Sequence, residues 1–221
     1  MESDLSGTLE KIYSRRFDAG EAYRNLVWKA LIQGWFQKEV PSAAAVLDLG
    51  CGYGQFINNV QCAKKYAMDL NPAAAKRLAS EVTLLAQDCS ATWGLPEESL
   101  DVVFTSNFFE HLLTKADLAN TLREARRCLR PGGRLIAMGP NVKRVGGAYW
   151  DFFDHHLALT ELSLAEGLET AGFRVVSARD RFLPYTMVNA PQYPVVLLRI
   201  YLKIPLLWKV FGKQFLVIAE K

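Results

Sequence analysis

The sequence predicts an α/β protein, a doubly wound and mostly parallel sheet with helices on both faces. Three observations predict it. Short apolar runs recur along the chain, and segments of helical period lie between most of them. The first clear run, 43–47, ends at Asp48 and then meets Gly50, Gly52 and Gly54 at alternate positions, so a buried strand is expected to turn sharply into a helix.

The elements follow in order. Two helical patterns open the chain, 5–17 and 20–39. The second carries the stripe Tyr23, Leu26, Val27, Ala30, Leu31 and Gly34 and stops before Pro41. Strands are expected at 65–69, 82–86, 100–106, 134–138, 173–177 and 215–219 in addition to the one before Gly50. A helix over 72–80 has Asn71 as its cap and Pro72 in its first turn. A strongly amphipathic helix over 115–130 is closed by Pro131-Gly132-Gly133, and Thr160 caps another that runs to Ala171.

Length and composition bound the rest. With 221 residues, half of them hydrophobic, one sizeable core and one domain are the expectation. Lys and Arg number 26 against 23 Asp and Glu, so bulk charge offers no case for a polyanionic partner. The cysteines at 51, 62, 89 and 128 fit neither a zinc knuckle nor a redox pair, and reduced thiols in the cytoplasm are the plain reading. The first residues lack the apolar run of a signal peptide. The apolar stretch 195–211 is broken by Arg199, Lys203, Pro205 and Lys209, so it is not a spanning helix.

The glycine turn selects its ligand. A dinucleotide turn wants a glycine six positions into the motif, where this chain has Gln55. Asp48 would also oppose a pyrophosphate but welcome a cationic, phosphate-free ligand such as S-adenosylmethionine. Val46-Leu47-Asp48-Leu49-Gly50-Cys51-Gly52-Tyr53-Gly54 resembles the first motif of the class I S-adenosylmethionine-dependent methyltransferases. The likeness continues over 44–140, 160–180 and 215–221.

That resemblance implies a seven-stranded, Rossmann-like, three-layer α/β/α fold whose last strand runs antiparallel between the fifth and sixth. It divides the single domain 1–221 into an N-terminal helical lid (1–40), a cofactor core (44–140), an acceptor loop (141–159), a cap insertion (181–213) and the last strand (215–221). It also implies that Asp48, Gly50, Cys51, Gly52 and Gly54 hold the methionine end of the cofactor, and that Asp88 and Cys89 meet the adenine. Asp69, 19 residues beyond Gly50, suits ribose hydroxyls in this fold and in dinucleotide folds alike, and Leu70 would flank the adenine face. Asn107 is expected on the cofactor side, facing the transferable methyl. It opens the segment Asn107 to Glu110, the slot where DNA amino-methylating enzymes carry two prolines, and both are missing here. The Glu110-His111 pair instead looks like the branch acting on small molecules and lipid precursors.

The acceptor is expected at the same sheet edge. The loop Gly146-Gly147-Ala148-Tyr149-Trp150-Asp151-Phe152-Phe153-Asp154-His155-His156 combines mobility, aromatic area and titratable groups. It holds two of the three histidines, and His111 is the third. Glu110, His111, His155 and His156 are the catalytic candidates, one of the histidines serving as general base. Adjacent histidines point apart, and no metal ligand set is evident from spacing. Tyr13, Arg16, Tyr23, Arg24 and Trp28 suit a lid, and Arg24 or Tyr13 could meet the cofactor carboxylate.

The segment 195–211 reads as a buried cap, a homodimer face, or a peripheral contact at the inner membrane face. The function expected is O-methylation of a small hydroxylated metabolite, sugar or lipid-linked precursor. C- or N-methylation and a non-catalytic cofactor-binding module are the alternatives. Arg123, Arg126, Arg127 and Arg130 read as a solvated helix face, and no nucleic-acid partner is expected.

Overall fold

The computed structural model describes residues 20–185 and 191–221. The predicted helix over 5–17, with Tyr13 and Arg16, lies outside the described residues, as does the part of the cap insertion at 186–190.

Seven strands form one sheet: β1 (Ala45–Leu49), β2 (Lys64–Met68), β3 (Val82–Leu85), β4 (Leu100–Ser106), β5 (Leu129–Pro140), β6 (Arg174–Arg179) and β7 (Gln214–Glu220). Their order is β3-β2-β1-β4-β5-β7-β6. Pairs among β1 to β5 are parallel, and β7 runs antiparallel to both β5 and β6, as the resemblance implied. The helices are α1 (Glu21–Gly34), α2 (Lys115–Cys128), α3 (Val142–Val145), α4 (Glu161–Thr170), α5 (Val195–Lys203) and α6 (Pro205–Phe211).

Period-two alternation splits the sheet's side chains between two cores. Leu47, Leu49, Val103, Leu135, Ala137 and Val217 pack with Leu118, Leu122, Ala125, Leu164 and Leu168 of α2 and α4. Val46, Val102, Phe104, Ile136, Leu216 and Ile218 pack with Val27 and Leu31 of α1, Phe36, Phe56, and Trp208 of α6. Phe56 stacks on Phe104 at 3.6 Å, and Trp28 meets both edge-on. Thr114 and Asp117 form a capping box at α2, and Thr160 and Ser163 form one at α4, where Thr160 was expected to cap.

Three expectations are corrected. The chain after Gly54 makes irregular turns over 55–59 instead of a regular helix. Asn58 N–H does reach Gly54 O, but the Ile57 N–H is drawn to the Asp48 carboxylate, and Asn59 Nδ2 takes the Gln55 carbonyl. The helix expected over 72–80 is likewise a set of turns. Asn71 does cap its start, accepting from Ala73 N–H, but Asn58 Oδ1 takes the Ala79 N–H and its Nδ2 the Arg77 carbonyl. The two asparagine-anchored segments lock onto each other. Finally, Pro131-Gly132-Gly133 does not lie outside the sheet: β5 already starts at Leu129. Its pairing jumps from Leu100↔Leu129 to Val102↔Arg134, and Gly132, at φ 77°, donates to the Lys221 carbonyl.

The cap insertion folds as the hairpin α5–α6. Leu202 seats against Gly34 of α1, where an added Cβ would fall 2.9 Å from its Cδ1. Trp208 is buried beside Phe182. The opposite face stays open, with Val196, Leu197, Ile200, Ile204, Leu206, Val210 and Phe211 all exposed.

Candidate active site

The carboxyl ends of β1, β2, β4 and β5 converge at one edge of the sheet, where a doubly wound fold places its ligands. The β1 turn leads there by backbone geometry. Gly50, Gly52 and Gly54 all have positive φ, at 70°, 53° and 72°. The N–H groups of Gly50 and Cys51 both donate to the Met68 carbonyl at the end of β2. A Cβ on Gly50 would lie 2.2 Å from the Phe108 ring, and one on Gly54 would lie 2.7 Å from Leu78. Neither position admits a side chain.

Two acids face this turn. Asp48 is almost fully buried, and its Oδ2 accepts from Ile57 N–H at 3.3 Å. Burial pushes its carboxyl up to about 8, and the Asp69 charge adds to the effect. Asp69 Oδ2 accepts from Gly52 N–H at 2.7 Å and Oδ1 from Asn71 N–H at 2.8 Å. Burial also raises Asp69, against the pull of those N–H groups and of His111. Asn71 Nδ2 is buried beside it with no hydrogen-bond partner. A buried acid, a half-buried one and an orphaned donor around a glycine turn fit a ligand with a cationic amino group and a ribose.

The other predicted cofactor residues are placed as follows. Leu70 is 55% exposed at the end of β2. Asp88 is exposed and accepts from both the N–H and the hydroxyl of Ser90, ordinary turn chemistry that still leaves it at the β3 edge. Cys89 is buried in the core, its thiol pushed up to about 11 by burial, and its carbonyl accepts from Trp93 Nε1. The Cys51 thiol is buried and also raised by burial. Asn107 is exposed at φ 51°, a left-handed conformation held by its N–H donating to the Met138 carbonyl. Arg24 is buried on α1.

The catalytic candidates split. A single helical turn over Phe109–His111 follows β4 and carries Glu110 and His111 into contact with the loop 146–156. The Glu110 carbonyl accepts from both His156 N–H at 2.8 Å and Leu157 N–H at 3.1 Å, so turn and loop are stitched together. His111 and His155 meet edge to face at 5.0 Å, and His155 stacks on Phe152 and packs against Tyr149. Tyr149 is fully buried and donates to the Leu157 carbonyl. His111 Nδ1 lies 2.9 Å from the Asp154 carbonyl and 3.3 Å from its Oδ2. Burial raises the Glu110 carboxyl to about 7, against the pull of His111. The His156 side chain is exposed beside this cluster, outside it.

Sequence reasoning missed three residues here. Phe108 shapes the face of Gly50, Asn71 offers a buried donor, and Asp154 orients His111. Only Asp154 left a signal, as an acid next to paired histidines. A groove of about 550 Å³ opens beside the glycine turn, lined by Glu21, Asn25, Tyr53, Gln55, Asn59 and Arg77. It holds none of the acids or histidines above.

Comparison with known proteins agrees with this geometry. Residues 47–137 match the family model described as a methyltransferase domain. The chain is 31% identical over 159 residues to a malonyl-[acyl-carrier protein] O-methyltransferase of Dechloromonas aromatica, covering 69% of this chain and 59% of that protein. The chain spans 36% to 65% of the length of the curated relatives it matches. Among solved structures, an S-adenosylmethionine-dependent methyltransferase from Archaeoglobus fulgidus superposes with a TM-score of 0.67 at 20% identity, covering 91% of this chain and 97% of that one. Another from Mesorhizobium loti gives 0.62 at 17% identity, over 87% and 98% of the two chains. Residues 47–137 thus carry a methyltransferase domain, within a chain that has the fold of the class I S-adenosylmethionine-dependent methyltransferases, a family whose cofactor is S-adenosylmethionine.

Proposed function

We propose that the protein methylates a hydroxyl oxygen on a small acceptor molecule, a hydroxylated metabolite, sugar or lipid-linked precursor. The observation that carries this reading is the cluster of Glu110, His111 and His155 at the cofactor edge, since a hydroxyl must lose its proton as it attacks whereas a neutral amine needs mainly positioning. Bound S-adenosylmethionine supplies an activated methyl group on a sulfonium. Asp48 would meet its ammonium, Asp69 its ribose, and the glycine turn would let it approach the backbone. Asp88, Cys89, Leu70 and Asn107 complete the cofactor side.

On the acceptor side, Glu110, His111 and His155 would hold and deprotonate the hydroxyl, with His156 at the solvent margin. Tyr149, Trp150 and Phe152 give the loop apolar contact area. Alignment of acceptor with donor carries most of the rate, since near-attack positioning is worth about 7–11 kcal/mol. The relative named an O-methyltransferase supports oxygen as the atom methylated. His155→Ala or His111→Ala is expected to lower turnover by roughly 10²–10⁴-fold and leave affinity for S-adenosylhomocysteine within about twofold. Wild-type turnover in both variants would remove these histidines from the chemistry.

We also propose that the open face of α5–α6 rests on an anionic lipid surface. Seven apolar residues are exposed on the hairpin, and residues 181–219 contain five basic residues, Arg181, Arg199, Lys203, Lys209 and Lys213, with no acidic one. No helix among the described residues is long and apolar enough to cross a membrane, so the contact would be peripheral. A lipid-linked acceptor would be met at such a surface.

A further inference from the structure

We propose that Glu110, His111 and His155 form a binding site for a first-row divalent cation, zinc or manganese, at the acceptor side of the cofactor edge. The inference rests on the methyl-transfer reading for its role, though not for its existence.

Each of the three residues offers a donor atom, and these atoms all lie within 4.8 Å of one another. No other such group of histidines, cysteines and acids occurs among the described residues. Donors about 2.1 Å from a tetrahedral cation lie about 3.4 Å apart, so from the 4.8 Å limit each side-chain end would move inward by up to about 0.8 Å. Two imidazoles and one carboxylate leave open coordination positions, the pattern of catalytic rather than structural sites.

The surroundings are built for this. His111 Nδ1 is committed to the Asp154 carbonyl and carboxylate, which fixes the ring and leaves Nε2 as its remaining donor. His155 is buried and held between Tyr149 and Phe152. Glu110 is buried and appears in none of the ion pairs among the described residues. Space for its carboxylate comes from Gly139, where a Cβ would sit 3.5 Å from Oε2. Two backbone bonds from the loop to the Glu110 carbonyl lock the ligands from the two segments at fixed separation. Burying an acid between two histidines, with a second acid behind one of them, is costly unless a cation joins them.

The chemistry follows. A cation there would occupy the lone pairs of Glu110, His111 and His155, so these residues would act through it in place of serving as bases themselves. It would draw electron density from the acceptor hydroxyl oxygen, so that its O–H bond breaks with the proton leaving toward solvent and His156. The O–C bond forms as the C–S bond breaks, the electron pair goes to sulfur, and the sulfonium becomes a neutral thioether.

The test uses the full chain stripped with a chelator and dialysed. Zn²⁺ alone is titrated by calorimetry, and Co²⁺ by visible absorption. One equivalent is expected to bind, with the absorption of Co²⁺ held by nitrogen and oxygen ligands. Glu110→Gln, His111→Ala and His155→Ala should each weaken binding at least 100-fold. His156→Ala should bind as wild type, and Asp154→Asn should bind roughly 10–100-fold more weakly. Circular dichroism and S-adenosylhomocysteine binding identify variants that stay folded. Absence of a stoichiometric site in the folded wild-type protein, or binding unmoved in folded triad variants, overturns the proposal. Metal binding without S-adenosylhomocysteine binding would support the cation site and contradict the methyl-transfer reading. The converse would overturn the cation site alone.

Discussion

Asp48 decides how the cofactor turn behaves with pH. Its folded carboxyl sits near 8 because burial disfavours the charge, far above the 3.8 of a free aspartate. The folded state therefore binds the proton more tightly than the unfolded one, so cofactor-free stability is present at acid pH and is lost as pH rises from about 4 to 8. The slope is at most about 1.4 kcal/mol per pH unit. Asp48→Asn should remove its share of that slope, seen as a smaller fall in melting temperature between pH 5 and 8 than in the wild type, in which Glu110 and Asp69 also contribute, while S-adenosylmethionine binding drops sharply. A second residue-scale prediction concerns Gly50. Its φ of 70° and the Phe108 ring 2.2 Å from an added Cβ mean that Gly50→Ala should destabilise the fold by roughly 1–3 kcal/mol, measured by denaturant unfolding. Both acids and all three glycines were legible in the sequence, because backbone chemistry at a βα turn constrains residue type locally. Asn71 and Phe108 were not, because their roles depend on which segments the fold brings alongside.

Among the elements, the strands were read with ends right to within about two residues except at β5, which begins at Leu129, well before the expected 134. Apolar β-type runs flanked by glycine and proline are a local signal. The segments over 55–59 and 72–80 were misread as helices for a non-local reason. Asn58 takes backbone partners from the other segment, and Asp48 takes one from its own. A periodicity argument sees neither. Of the four arginines expected on one helix face, Arg123, Arg126 and Arg127 lie on α2 and are engaged with Asn120, the Gly172 carbonyl and Glu124, whereas Arg130 lies on β5 and pairs with Asp101. The α5–α6 hairpin is the element whose pattern left three readings open. Its inner face docks on α1, and its outer face carries the lipid proposal. Leu206→Glu with Phe211→Glu should abolish co-sedimentation with anionic phosphatidylglycerol vesicles and change stability by less than about 1 kcal/mol, as both positions are exposed. Sedimentation of a dimer that the same pair of substitutions splits, without vesicle binding, would instead make this face a subunit contact.

For the whole molecule, the sheet order brings β1, β2, β4 and β5 to one edge, so residues from 48 to 155 meet around one point. That gathering is what composition could not show: His111 and His155 are 44 positions apart and touch where the Glu110 carbonyl and His111 Nδ1 bind the loop. All of it presumes that the glycine turn receives S-adenosylmethionine. Isothermal titration of the full chain with S-adenosylmethionine and S-adenosylhomocysteine tests this most directly. The account predicts one site for each ligand, lost in Asp48→Asn and weakened in Asp69→Asn, with proton release that grows as the pH falls below 8. No heat from either ligand, or equal heat in both variants, would contradict it.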